Sequence, residues 1–256
     1  GSYLEAGVWR GGMSILATAA LQLVGLGSRP VYLCDSFAGL PMPRKGSLGA
    51  TETYYAKFMN RTLAVGEQRV LANFDRFGVT RGQVTTWPGY FVDSLPPLRE
   101  RLLRTGERLS ILRMDGDSKW LRSACRPPAS AHMRSLSALL CSITSLVFAL
   151  HVAVYDSTAD ILYNLYDLVS VGGYVIIDDF GWRSGLKAKV LQSGQGNSTP
   201  FRALFGAKNA LLDFRALHGL EDGKHIMVDI DGTGAYFVRR ASLAPACAHL
   251  ARRYRC

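Results

Sequence analysis

Tyr3-Leu-Glu-Ala-Gly-Val-Trp-Arg-Gly-Gly12 begins as a short apolar segment and continues into a glycine-rich turn. An Ala- and Leu-rich segment with helical spacing follows at residues 14–24. Val31-Tyr-Leu-Cys-Asp35 then has the composition of a buried strand that ends in an acid. A strand, a glycine turn, a helix and a second strand within this length have the size of a βαβ unit.

The same alternation continues along the chain. Helical spacing occurs at residues 65–77, 93–104, 157–169 and 207–217. Further strands are predicted at residues 84–87, 109–114, 172–177, 226–230 and 235–239. Several strands are apolar without a period of two, which is typical of a parallel sheet that is covered on both faces. The sequence therefore predicts an α/β fold, with a mostly parallel seven-stranded sheet and helices on both faces.

Acidic residues stand at the carboxyl ends of the predicted strands: Glu5, Asp35, Asp115, Asp117, Asp178 and Asp179. Open parallel sheets bind ligands at this edge, near the point where the strand order reverses. An acid after the second strand, such as Asp35, commonly binds the ribose of a nucleoside cofactor. The turn is not G-x-G-x-x-G, so a cofactor without phosphates, such as S-adenosylmethionine, fits it better than a dinucleotide. The alternative is that these acids only cap helices.

Three of the acids suggest a metal. Asp115, Asp178 and Asp179 follow two neighbouring predicted strands. Carboxylates that lie close together repel one another unless a cation or a proton intervenes. Oxygen ligands of this kind suit Mg²⁺, so the sequence predicts a magnesium site. The alternative is that the three acids are solvated in loops.

The charge of the chain is unevenly distributed. A formal net charge of +10 over 256 residues is typical of a protein that binds nucleic acid or a membrane surface. Residues 118–154 carry +4 and residues 239–256 carry +5, and neither segment contains an acid, so the remainder carries only +1. This distribution argues against a nucleic-acid partner. The five cysteines include no C-x-x-C pair and indicate neither a disulfide framework nor a cysteine-rich zinc site.

Several blocks of the sequence occur in the same order in a known family. They are residues 4–12, 35–41, 88–96, 112–117, 155–158, 172–179, 213–219 and 235–240. On these blocks the chain resembles the macrocin O-methyltransferase (TylF-type) family, whose members use S-adenosylmethionine and Mg²⁺ to methylate sugar hydroxyls of natural products. The resemblance implies a Rossmann-like class I methyltransferase fold and a small-molecule, sugar-like hydroxyl acceptor.

The resemblance also implies roles for individual residues. The residues that would bind S-adenosylmethionine are Glu5, Gly7, Trp9, Gly11, Gly12, Asp35, Ser36, Phe37, Gly89, Phe91 and Asp115. Those that would hold Mg²⁺ are Asp115, Asp178 and Asp179. Asp115 and Asp178 would be catalytic, with Asp178 as the base that takes the proton of the reacting hydroxyl. For Trp9 and Phe37 the alternative is packing against the neighbouring helices.

Residues 118–154 depart from the family pattern, in which one apolar residue separates Asp117 from the residue equivalent to Tyr155. The segment ends in the apolar run 136–154. Three interpretations compete: a transmembrane or membrane-dipping helix, a lid or docking insertion, and a translated intron. We favour the intron as a hypothesis, because the codons of Ser118-Lys-Trp120 and Ala153-Val154 can contain splice donor and acceptor strings whose joining restores one methionine codon.

We therefore expect one methyltransferase domain over residues 1–240, truncated at its N-terminus and interrupted by residues 118–154. A basic tail at residues 241–256 would follow it. A cytoplasmic location, a homo-oligomer and the absence of a membrane partner are also expected. The competing function is a catalytically impaired methyltransferase-like domain that acts as a binding module, and the intact Asp115, Asp178 and Asp179 argue against it.

The intron hypothesis predicts the sequence of the mature transcript. In cells that make active enzyme, we expect the message to place a single methionine codon between those of Asp117 and Tyr155. Removing 36 codons keeps the reading frame. Sequencing the message tests this, and retention of codons 118–154 in such cells contradicts the hypothesis.

Overall fold

A computed structural model describes residues 1–40, 61, 63–115, 155–178, 180, 206–220, 225–232 and 234–241. The predicted insertion at residues 118–154, the tail beyond residue 241 and Asp179 lie outside the described residues. Within the described part, no helix has both the length and the apolar character that crossing a membrane requires.

The strands are β1 (Ser2–Ala6), β2 (Val31–Asp35), β3 (Val84–Pro88), β4 (Leu109–Met114), β5 (Val169–Ile177), β6 (Val228–Asp229) and β7 (Ala235–Val238). They form one sheet in the order β3-β2-β1-β4-β5-β7-β6. β1 to β5 pair with one another in parallel, whereas β7 is antiparallel to both β5 and β6. The predicted mostly parallel, seven-stranded sheet is confirmed, and its order reverses between β1 and β4.

Among the described residues, the helices with defined bounds are α1 (Gly12–Leu23), α2 (Glu67–Arg76), α3 (Phe91–Thr105), α4 (residues 155–165) and α5 (Gly206–Leu217). On one face of the sheet, α1 and α2 complete a smaller core cluster of Tyr3, Val8, Ile15, Val31, Leu33, Val70 and Phe74. On the other face, a larger core cluster includes Leu4, Leu98, Leu112, Ile161 and Phe214, which come from β1, α3, β4, α4 and α5. Both faces are therefore covered, as the apolar strands predict.

One helix ends earlier than the sequence predicts. The periodicity predicts a helix over residues 157–169, but α4 ends at residue 165 and a 3-10 turn occupies Tyr166–Leu168. β5 then begins at Val169, which pairs with Leu109 of β4. Pairing in the sheet overrides the helical periodicity of these last residues, because strand hydrogen bonds and helix hydrogen bonds compete for the same backbone groups.

Two buried arginines hold this 3-10 turn. Both terminal nitrogens of Arg99 pair with the carboxylate of Asp167. Arg239 donates from Nη1 to the carbonyl oxygens of Asp167, at 2.9 Å, and of Val169. Carbonyls at the C-terminal end of a helix lack partners within the helix and favour positive charge. Arg239, counted in the sequence with the basic C-terminal segment, is therefore part of the folded domain.

We expect Arg239→Met to lower the free energy of unfolding by about 2–4 kcal/mol, because it leaves buried carbonyl groups without a charged donor. Urea denaturation followed by circular dichroism measures the change. The neighbouring Arg240 is the control, since its side chain is exposed, and Arg240→Ala should change stability by less than about 0.5 kcal/mol. Equal stability of the two variants would contradict the anchoring role.

Candidate active site

The predicted acidic residues converge at the carboxyl ends of β1, β4 and β5. The register pairs Glu5 with Arg113 across β1 and β4, and Arg113 with Ile176 across β4 and β5. Because side chains alternate along a strand, Asp115 and Asp178 fall on the same face as Glu5. Two of the three predicted metal ligands are thus neighbours, and Glu5, predicted to bind the cofactor, lies beside them.

Arg113 lies between these three carboxylates. Its Nη1 donates to Glu5 Oε1 at 2.6 Å, and its Nη2 donates to Asp178 Oδ2 at 2.8 Å and to Asp115 Oδ2 at 3.3 Å. Burial lowers the pKa of Arg113, but the three carboxylates outweigh burial and raise the pKa above its usual value. A permanent positive charge therefore lies among three acids, two of which, Asp115 and Asp178, are predicted to bind a metal.

Sequence reasoning missed Arg113. The signal was present, because Leu109-Ser-Ile-Leu-Arg-Met114 is an apolar strand with one charged residue, two positions before Asp115. A charge inside a buried strand requires a partner of opposite charge. That requirement alone marks Arg113 as a residue that lies against acids.

Glu5 is buried more deeply than the other acids, with 2% of its surface exposed. Its Oε2 accepts a hydrogen bond from the Ser14 hydroxyl, which comes from the first turns of α1. Burial raises the pKa of Glu5 to about 6, although Arg113 and Ser14 both act to lower it. Arg113 is thus a main reason that Glu5 carries a negative charge at neutral pH.

The glycine turn brings β1, β4 and α1 close together. Gly7 has φ 92°, and a Cβ on it would lie 2.1 Å from the carbonyl oxygen of Asp115, so no other residue fits there. Gly11 has φ 82° and precedes α1, which has neither a side-chain cap nor an acid in its first turn. A Cβ on Gly12 would meet no described atom within 4 Å. A helix start that has no side-chain cap and no described atom beside Gly12 fits the carboxylate of the methionine part of S-adenosylmethionine.

The Asp35 carboxylate binds backbone groups of two turns. Its Oδ2 accepts from the N–H groups of Val8 at 2.7 Å and Trp9 at 3.1 Å, and its Oδ1 accepts from Phe37 N–H at 2.8 Å. Trp9 and Phe37 have φ of 47° and 53°, a left-handed conformation that costs a side chain about 1–2 kcal/mol. Asp35 therefore holds two strained residues in place, and its role toward the ribose remains a prediction.

The three residues predicted near Asp35 have different surroundings. Phe37 packs against the smaller core cluster, which is its alternative role. Trp9 is 44% exposed, and the Arg10 guanidinium lies 4.6 Å from the centre of its ring. Ser36 donates from its hydroxyl to the Gly39 carbonyl at 2.6 Å and stabilises the turn after β2.

A cleft of about 460 Å³ opens beside the predicted adenine-binding residues. Its walls are Thr86, Trp87, Pro88, Gly89, Asp93, Ser94 and Pro97. Gly89 donates its N–H to the Asp35 carbonyl at 2.9 Å, which places the cleft next to the end of β2. Phe91 packs against the larger core cluster. The size and mainly apolar walls of the cleft fit part of a small nucleoside cofactor.

The chemistry of the acids fits a magnesium ion. Asp115 and Asp178 offer carboxylate oxygens, and Mg²⁺ is commonly bound through one or two carboxylates together with water and substrate oxygens. Among the described residues, no group of three His, Cys, Asp or Glu side chains could hold a metal. Asp179, the third predicted ligand, is not among them.

Comparison with known proteins identifies the family. The sequence profile of the macrocin O-methyltransferase (TylF) family matches residues 1–121 and 141–197. The chain belongs to this family. The solved structure of the O-methyltransferase NovP is similar to this methyltransferase at 30% identity and a TM-score of 0.59, over 94% of this chain and 72% of NovP. The class I methyltransferase fold that the resemblance implies is thereby confirmed.

Two curated relatives of this macrocin O-methyltransferase family member come from Streptomyces. The 8-demethyl-8-(2,3-dimethoxy-alpha-L-rhamnosyl)-tetracenomycin-C 4'-O-methyltransferase of Streptomyces olivaceus is 31% identical over 95% of this chain and 68% of its own length. The demethyldecarbamoylnovobiocin O-methyltransferase of Streptomyces niveus is 33% identical over 70% of this chain and 53% of its own. The chain is thus an enzyme of the O-methyltransferase type, and its family implies S-adenosylmethionine as the methyl donor.

The position of Asp35 gives a prediction about stability. We expect Asp35→Asn to lower the free energy of unfolding by about 1–3 kcal/mol. The two turns donate to both carboxylate oxygens of Asp35, and an amide has only one acceptor oxygen. Asp75 is the control, since it forms an exposed pair with Arg81, and Asp75→Asn should cost less than about 0.5 kcal/mol. Unchanged stability of Asp35→Asn in urea denaturation would show that Asp35 does not hold the turns.

Proposed function

We propose that this chain is an S-adenosylmethionine- and Mg²⁺-dependent O-methyltransferase that acts on a hydroxyl of a sugar or a similar group of a natural product. The observation that carries the proposal is the cluster of Glu5, Asp115 and Asp178 around Arg113. It lies where the strand order of a class I sheet reverses, which is where such sheets bind ligands. The two Streptomyces relatives support the acceptor class, since one is named for a rhamnosyl compound.

The residues of β1 and its turn provide the donor side of the site. Glu5 is ionised beside Arg113 and suits the ammonium group of the methionine part, while the uncapped start of α1 suits its carboxylate. The cleft beside Gly89 suits the adenine. Together these residues would orient the sulfonium methyl toward the end of β5.

Asp178 provides the acceptor side. Its Oδ2 accepts from Arg113, and we assign the proton of the reacting hydroxyl to the Asp178 carboxylate. The hydroxyl oxygen forms a bond with the methyl carbon, the carbon–sulfur bond breaks with its electron pair on sulfur, and the proton passes to Asp178. Held by Asp115, Asp178 and Asp179, Mg²⁺ would lower the pKa of the hydroxyl. Positioning supplies most of the rate in such a transfer.

Binding of the methyl donor is the first test. Isothermal titration calorimetry of the full chain with S-adenosylmethionine should show binding, and Mg²⁺ alone should bind in a separate titration. The reason is that Glu5 and the turn of β1 are in place without the metal, while Asp115 and Asp178 attract a cation. Absence of donor binding with and without Mg²⁺ would refute the methyltransferase proposal, and absence of Mg²⁺ binding would refute its metal-dependent part.

The role of Asp178 is tested by substitution. We expect Asp178→Asn to lower turnover by about 10²–10⁴-fold, the usual contribution of a general base, with donor affinity largely retained. Formation of S-adenosylhomocysteine with rhamnosylated acceptors measures the rate. Asp75→Asn, which changes an exposed acid, should leave the rate unchanged, and wild-type turnover of Asp178→Asn would exclude the base role.

A further inference from the structure

We propose that Arg113 is a positioning residue that fixes the donor side of the site relative to the acceptor side. The inference rests on the proposed function, because it gives Glu5 to the donor and Asp178 to the acceptor. It adds a role for a residue that is expected to touch neither substrate. The role follows from how one guanidinium is shared among three carboxylates.

The geometry of the guanidinium links two strands that do not pair with each other. Nη1 donates to Glu5 on β1, and Nη2 donates to Asp178 at the end of β5, while Arg113 itself lies on β4 between them. A guanidinium is planar and rigid, so the positions of its two terminal nitrogens are fixed relative to each other. The distance between the Glu5 and Asp178 carboxylates is therefore set by one group.

Burial makes this link strong and prevents substitution by water. Arg113 is 7% exposed, Glu5 2% and Asp178 9%. Charge-assisted hydrogen bonds in such surroundings are stronger than neutral ones, and loss of one partner leaves the others as buried, uncompensated charges. A methyl transfer needs its two reacting atoms within about 3–3.5 Å of each other, so a fixed spacing of the two sides matters for the reaction.

Removal of Arg113 should weaken binding of the methyl donor and strengthen binding of a divalent cation. Glu5 would lose the charge that keeps its buried carboxylate ionised and oriented, so the ammonium group of the donor would bind less well. Asp115 and Asp178 would lose a positive neighbour, so a divalent cation would be bound more tightly. General loss of structure would weaken the binding of both ligands. Changes of opposite sign in the two affinities therefore distinguish a positioning role from damage to the fold.

Lysine at this position is the informative conservative variant. Its ammonium group is a compact point charge without the fork of a guanidinium. It can pair with Glu5 or with Asp178, but it cannot hold both in the spacing that Arg113 sets. We expect Arg113→Lys to retain more affinity for the donor than Arg113→Met does, but less than the wild type.

The experiment uses calorimetric titrations of the full chain with S-adenosylhomocysteine alone and with Mg²⁺ alone. We expect Arg113→Met to weaken S-adenosylhomocysteine binding about tenfold or more, Arg113→Lys to fall between it and the wild type, and Mg²⁺ to bind Arg113→Met more tightly. Arg99→Met is the matched control, because Arg99 is equally buried and paired with Asp167 but lies outside the site. It should leave the affinity of the folded protein for both ligands unchanged.

The outcomes are distinct. The positioning role is overturned if Arg113→Met binds S-adenosylhomocysteine with wild-type affinity. It is also overturned if the affinities for S-adenosylhomocysteine and for Mg²⁺ fall equally. If Arg113→Met does not fold, Arg113→Lys decides in the same way, since wild-type affinity in that variant overturns the role. If the wild type binds no S-adenosylhomocysteine, the proposed function itself fails. If only its Mg²⁺ binding is absent, the S-adenosylhomocysteine titrations still decide the role of Arg113.

Discussion

Three carboxylates, of which Glu5 and Asp178 are buried, lie close together at one edge of the sheet and repel one another, so their placement depends on a compensating charge. Arg113 supplies it from β4, the strand that pairs with both β1 and β5. Its guanidinium contacts Glu5, Asp115 and Asp178 at the ends of these three strands. The carboxyl edge of the sheet is thus organised around one ion, whose burial requires the acids as much as the acids require it.

The turns around this cluster are held by a second constraint, which acts on the backbone. The Asp35 carboxylate accepts hydrogen bonds from backbone N–H groups of the turns after β1 and β2. Gly7 allows the first of these turns to approach Asp115 closely. Trp9 and Phe37 are kept in conformations that side chains rarely adopt. Strain of this kind persists only where the surroundings fix it, and it is concentrated at functional sites.

The sequence and the structure agree most closely on the strands and on the residues that follow them. The sequence pattern identified all seven strands, and the acids after two of them predicted that Asp115 and Asp178 would lie together, whereas Glu5 was predicted to bind the cofactor. The sequence did not reveal the structural roles of Arg113 and Arg239, because a count of charged residues does not distinguish a buried arginine from an exposed one. Both are buried with specific partners, and those partners lie far away in the sequence: Glu5 and Arg113 are 108 residues apart.

The sequence by itself determined the order of strands and helices, the acids at the strand ends and the family to which the chain belongs. These features depend on composition and spacing within short segments, which local physical rules describe. Only the tertiary structure decided which atoms meet: that Arg113 is the partner of the acids, that Asp35 binds backbone groups, and that Phe37 packs against the smaller core cluster while Trp9 is exposed. The register between distant strands sets these contacts, and no local pattern encodes it.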